Sequence, residues 1–117
     1  MDNNPPIQEV RKPYNKIRES LDLAIEHTSS RGYTFSDHKL EFSRVAFEAE
    51  NAELEISRKR QSLLERIDQA ERSSFDSSVE DYLGNIRRCN KIAAAYSSFY
   101  SGTITFEEME KILERIR

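Results

Sequence analysis

Between Gly32 and Gly84 the chain contains neither glycine nor proline. Those two residues end helices and shape tight turns, so a stretch this long without either is hard to divide into strands. The whole chain has three glycines and three prolines, far fewer than the turns of a β-sandwich require. Pro5 and Pro6 fall in the polar start Asn3-Asn4-Pro5-Pro6. What remains is a small number of long helices.

Hydrophobic periodicity places them. A first helix is expected from about Pro13 to Ser30, because proline suits a first turn whose N–H has no partner anyway. Tyr14, Ile17, Leu21, Ala24 and Ile25 recur three and four apart, one face of a helix. Ile7 and Val10 continue that stripe if the helix starts earlier and bends at Pro13. Residues 1–12 are therefore read as an N-terminal tail or short helical extension, and 13–117 as a single helical-bundle domain. Gly32 ends the first helix.

Thr34 or Ser36 caps the second helix, with Asp37 at its positive end. Nothing breaks it before about Arg72, and a rod of about 36 residues would be ~54 Å long. Phe42, Ala49, Ile56, Leu63 and Ala70 recur every seven residues, with Val45 and Ala52 three beyond the first two, a coiled-coil-like seam. Lys59 and Arg66 occupy the next equivalent positions, so the seam fades. Leu40, Phe47 and Leu54 make a second seven-residue series on nearly the opposite side. A helix apolar on two sides has partners on both. Either the first and third helices fill them, or one side meets another molecule.

The run Ser73-Ser74-Phe75-Asp76-Ser77-Ser78 reads as a turn, with Ser77 and Glu80 as a capping box. The third helix then spans about Ser78 to Ser101, with Val79, Tyr82, Leu83, Ile86, Cys89, Ala93, Tyr96 and Tyr100 as its apolar stripe. Ala93-Ala94-Ala95 permits close approach of a neighbour. After Gly102, Thr105 with Glu108 forms another capping box, and Ile104 with Met109 a hydrophobic staple. The last helix, Phe106 to Arg117, is too short to be stable undocked. Short connections make sequential helices antiparallel neighbours. The expected fold is all-α: an antiparallel bundle of three main helices plus a short C-terminal one, built on one long central helix. The first helix should fold onto the front half of the central rod and the third onto its rear half.

Chemistry is sparse. His27 and His38 flank one turn, but no metal-ligand spacing accompanies them, and they read as surface histidines beside a loop. Cys89 lies on the apolar stripe and reads as a buried, inert thiol. The glutamates lack the Glu-x-x-His unit of di-metal bundles. No enzyme, metal site or cofactor is expected. No apolar run is long enough to span a membrane and no signal peptide is apparent, which points to the cytoplasm.

Charge and composition suggest binding. Hydrophobic residues make up 37% and charged residues 33%, a balance better suited to a thin bundle shared between subunits than to a thick core. The expected role is a non-enzymatic regulator, inhibitor or adaptor that binds a protein partner, with a homodimer favoured. The expected contact residues are Phe47, Glu50, Leu54 and Arg58 on the central helix, with Met109, Ile112 and Ile116 on the last. One form of dimer pairs two central helices antiparallel, crossing near Ile56, so that the acidic stretch holding Glu41, Glu48, Glu50, Glu53 and Glu55 lies along the Arg58-Lys59-Arg60 cluster. The alternative role is nucleic-acid binding through Arg58, Lys59, Arg60, Arg87, Arg88 and Lys91. A net charge of −3 weighs against it.

Overall fold

A computed structural model describes residues 5–116, in which four helices follow one another: α1 (Pro5–His27), α2 (Phe35–Glu65), α3 (Arg72–Tyr100) and α4 (Phe106–Ile116). No strand occurs among the described residues. Residues 1–4 of the N-terminal segment expected at 1–12 lie outside them. The 31 residues of α2 give a rod of roughly 46 Å, which sets the long dimension of a body measuring 51 × 26 × 21 Å. The all-α bundle on a long central helix is the architecture observed.

α1 passes through Pro13 without a break, so residues 5–12 are helical and place Ile7 and Val10 in the core. Proline there removes one helix hydrogen bond, and the burial of two β-branched side chains, each worth about 1.5–3 kcal/mol, outweighs it. α2 turns Phe42, Val45, Ala49, Ala52, Ile56 and Leu63 inward. They meet Ile17, Leu21 and Ala24 of α1 and Val79, Leu83, Ile86 and Ala93 of α3 in one continuous core.

Polar contacts fix the register. Toward α3, Ser43 Oγ lies 2.7 Å from Ser97 Oγ, Asn90 Nδ2 donates to the Ala46 carbonyl, and Arg60 pairs with Asp76 at 2.7 Å. Toward α1, His27 contacts Glu41 at one end and Glu9 pairs with Arg66 at the other. Each neighbour therefore runs the length of α2. The expected division, one neighbour per half, is corrected: α1 and α3 lie side by side and share the same side of the rod.

The junction between α2 and α3 also departs from expectation. α2 ends at Glu65, and α3 begins at Arg72, well before the expected Ser78. Between them Ile67 is buried, its carbonyl accepts from Arg72 Nε at 3.1 Å, and Gln69–Glu71 form a single 3-10 turn. The serine run lies inside the first turns of α3, and no side chain caps that helix. Serine costs only about 0.5 kcal/mol per residue in a helix. Helical geometry places Phe75 beside Val79, both in the core at 6% and 0% exposure, and burying the pair contributes several times as much. Ala70, expected on the inward seam, is exposed.

Elsewhere the caps form. Thr34 caps α2: its Oγ1 accepts from the Asp37 N–H and its own N–H donates to Asp37 Oδ2. Thr105 and Glu108 do the same for α4. The bond donated by the Thr34 backbone holds the Asp37 carboxyl below its ordinary 3.8. A carboxyl lowered by folding stabilises the fold fully above its unfolded value, and that contribution fades as pH falls through the lowered one. Denaturant melts of Asp37→Asn should therefore show a stability deficit at neutral pH that shrinks below pH 3.8. A deficit that stays constant with pH would mean the carboxylate charge is irrelevant to the cap.

Candidate interaction surface

Because α1 and α3 cover one side of α2, the other side is bare. Leu40, Phe47 and Leu54 are 64%, 63% and 50% exposed. Their seven-residue spacing is two helical turns, so they form a straight row along the rod. Single exposed apolar residues are ordinary, whereas an aligned row of three large ones is a continuous apolar strip facing solvent. Arg44 and Glu50 flank the row, and neither has an ion-pair partner among the described residues. Arg58 is also exposed and unpaired near its far end. The segment from Glu48 to Glu55 carries four glutamates and no base.

Ile56 is 2% exposed and belongs to the core, so it is not itself part of the bare face.

A second surface lies along α3. A groove of about 650 Å³ separates α3 from α4, and Ala94, Ala95, Ile112 and Ile116 contribute its apolar lining. Arg87, Arg88, Lys91 and Arg115 stand around it, and no acidic residue lines it. On the other side of α3, a shallower depression touches Ala46, Phe47, Glu50, Asn90 and Ala94, so the groove and the α2 row border a common stretch of surface. Met109, expected as a contact residue, is 3% exposed and packs on Ala95 and Leu113. It anchors α4 and is not available to a partner. Ile112 and Ile116 remain partly exposed.

The six basic residues do not form one patch. Lys59 pairs with Glu55 at 2.9 Å. Arg60 bridges Asp76 and Glu80, and both acids keep its guanidinium charged. Arg87 binds Glu53 at 2.8 Å. Arg60 therefore meets α3 at Glu80, roughly 12 Å along the helix from Arg88. Only Arg87, Arg88 and Lys91 stand together, at the groove.

The histidines do come together, with His27 partly exposed and His38 covered. His38 is 5% exposed, stacked on Tyr33 at 5.1 Å and tilted against Tyr100 at 4.6 Å, which corrects the surface reading for that residue. His27 stacks on the other side of Tyr33, and its Nδ1 lies 2.7 Å from Glu41 Oε2. No three potential metal ligands cluster among the described residues. The stack closes one end of the bundle together with Phe35, Phe99 and Phe106, whose rings lie within 6 Å of one another in sequence. Cys89 is 8% exposed, and burial pushes its thiol above its ordinary value. A protonated, covered thiol is a poor nucleophile.

The fold and its two bare surfaces define an all-α helical bundle with an unpaired face on its central rod. No family model, curated protein or solved structure matches this chain. No helix among the described residues is long and apolar enough to cross a membrane.

Proposed function

We propose that this protein is a non-enzymatic binding module that self-associates through the bare face of α2. The observation that supports it is the row Leu40, Phe47 and Leu54, each at least half exposed. In an antiparallel pair about a two-fold axis at Phe47, the two Phe47 rings meet and each Leu40 lies level with Leu54 of the other copy, since both leucines stand seven residues from Phe47. Charge favours that direction over the parallel one. A parallel pair sets the four glutamates of residues 48–55 against themselves. The antiparallel pair sets them against the stretch holding Lys39 and Arg44. Such complementarity governs orientation more than strength.

Six large side chains contribute on the order of 6–12 kcal/mol of gross burial. Association costs roughly 4–15 kcal/mol in lost freedom. At most about 8 kcal/mol is left over, so the dimer is weak, with Kd no tighter than about micromolar. Light scattering on a size-exclusion column should show a concentration-dependent rise toward twice the chain mass. Phe47→Asp should hold the protein at one chain mass while its circular dichroism stays unchanged. A wild-type protein that stays monomeric at about 1 mM, where even a dimer of millimolar Kd is about half formed, would overturn the reading.

A further inference from the structure

We infer that the groove between α3 and α4 is a docking site for an acidic, amphipathic helix of a partner protein. Gly84, Arg88, Lys91, Ala95 and Ser98 line it from α3, and their alternating spacing of four and three is that of a helix seam. The α3 wall is thus already patterned to receive a second helix lying alongside it. α4 is such a helix but has only 11 residues against the 29 of α3. It occupies the Ala95 end and leaves the Gly84 end uncovered. Gly84 meets nothing within 4 Å of where a Cβ would stand. The absence of a side chain there lets an incoming backbone approach closely.

The charge of the groove selects its occupant. Arg88, Lys91 and Arg115 line it without an ion-pair partner among the described residues. Three unpaired cations beside an apolar floor repel one another and attract carboxylates. Ile112 and Ile116 separate a peptide from a nucleic acid. A phosphate backbone gains nothing from two isoleucines and leaves them wet. A helix with aliphatic residues on one side and glutamates along its edges covers both and pairs with the cations. The site borders the Leu40–Phe47–Leu54 row at Ala94 but does not depend on self-association.

The probe is a fluorescein-labelled helical peptide of about 18 residues, long enough to hold a helix, with leucine and alanine on one face and glutamate on both flanks. Polarisation should saturate with Kd in about the micromolar range, and amide shifts should move at Ala94, Ala95, Ile112 and Ile116. Arg88→Glu combined with Lys91→Glu should weaken binding at least about tenfold, the effect of one lost charge-assisted contact per residue, with the urea midpoint unchanged. Binding should persist in Phe47→Asp, so failure of the dimer and failure of the groove are distinguishable. Equal binding of a lysine-flanked peptide, no saturation below about 1 mM, or amide shifts at the same residues produced more strongly by a DNA duplex would each overturn the assignment.

Discussion

Phe42→Ala should lower the unfolding free energy by about 3–5 kcal/mol, the range for truncating a fully enclosed aromatic. Phe42 is 0% exposed. Its ring stacks on Tyr96 at 4.5 Å with the planes 9° apart, and it lies 5.9 Å from Tyr100 in the same orientation. Three rings from α2 and α3 thus form one packed column, and removing the inner one leaves a cavity that the neighbouring tyrosines fill only by abandoning their own contacts. Domains of this size have about 5–15 kcal/mol of stability to lose, so the variant stands near the edge of folding. Phe47→Ala is the matched control. It is the same change on the same helix, five residues further on, where the ring is 63% exposed. Measured at low protein concentration, where any dimer has dissociated, it should shift stability by less than about 0.5 kcal/mol. Urea titrations of both variants decide the matter. A loss below about 1.5 kcal/mol for Phe42→Ala, or equal losses for the two, would mean that α2 does not present these two faces as described.

That contrast also shows where sequence reasoning stopped. The seven-residue series through Phe42 and the one through Phe47 are equally regular, and periodicity alone reports that a helix has two apolar sides. Which side is covered depends on where α1 and α3 settle. They settle together, because their own stripes bury each other as well as α2: Tyr14 of α1 lies 5.4 Å from Tyr82 of α3, and Arg11 Nε donates to the Tyr82 hydroxyl. Three stripes close into a triangular core that no single stripe discloses. The burial of His38 escapes local pattern for a related reason. Its cover comes from Tyr33 before the helix and from Tyr100 on α3, residues far apart in the chain. The groove was equally hidden, since Arg88 and Arg115 become neighbours only once α4 folds back along α3. Its one local trace was the alanine run at 93–95. What was legible depended on short spacings: helix type, the caps at Thr34 and Thr105, the inward face of α3, and the position of Cys89 on it.

The serine run poses the sharpest conflict between local signal and tertiary packing, and Ser78→Pro separates the two. Had α3 begun at Ser78 behind a Ser77 cap, proline there would occupy the first helical position, where its missing N–H costs nothing and its fixed φ helps. The substitution would then be neutral or slightly stabilising. In the observed helix, Ser78 lies in the second turn after Arg72. Its N–H is an interior donor, and a proline ring at that point collides with the carbonyl four residues earlier. The expected cost is about 3 kcal/mol or more, concentrated on the segment that seats Phe75 and Val79 in the core. Ser78→Ala serves as the reference, because alanine keeps the N–H and raises helix propensity by about 0.5 kcal/mol. Urea midpoints should rank the alanine variant at or above wild type and the proline variant far below. Amide exchange at residues 76–79 in wild type, whose N–H groups have helix acceptors only if α3 begins at Arg72, supplies the second reading. Protection there places these serines in the helix, while rapid exchange together with a tolerated proline would move the start of α3 to Ser78 and leave Phe75 without the turn that buries it.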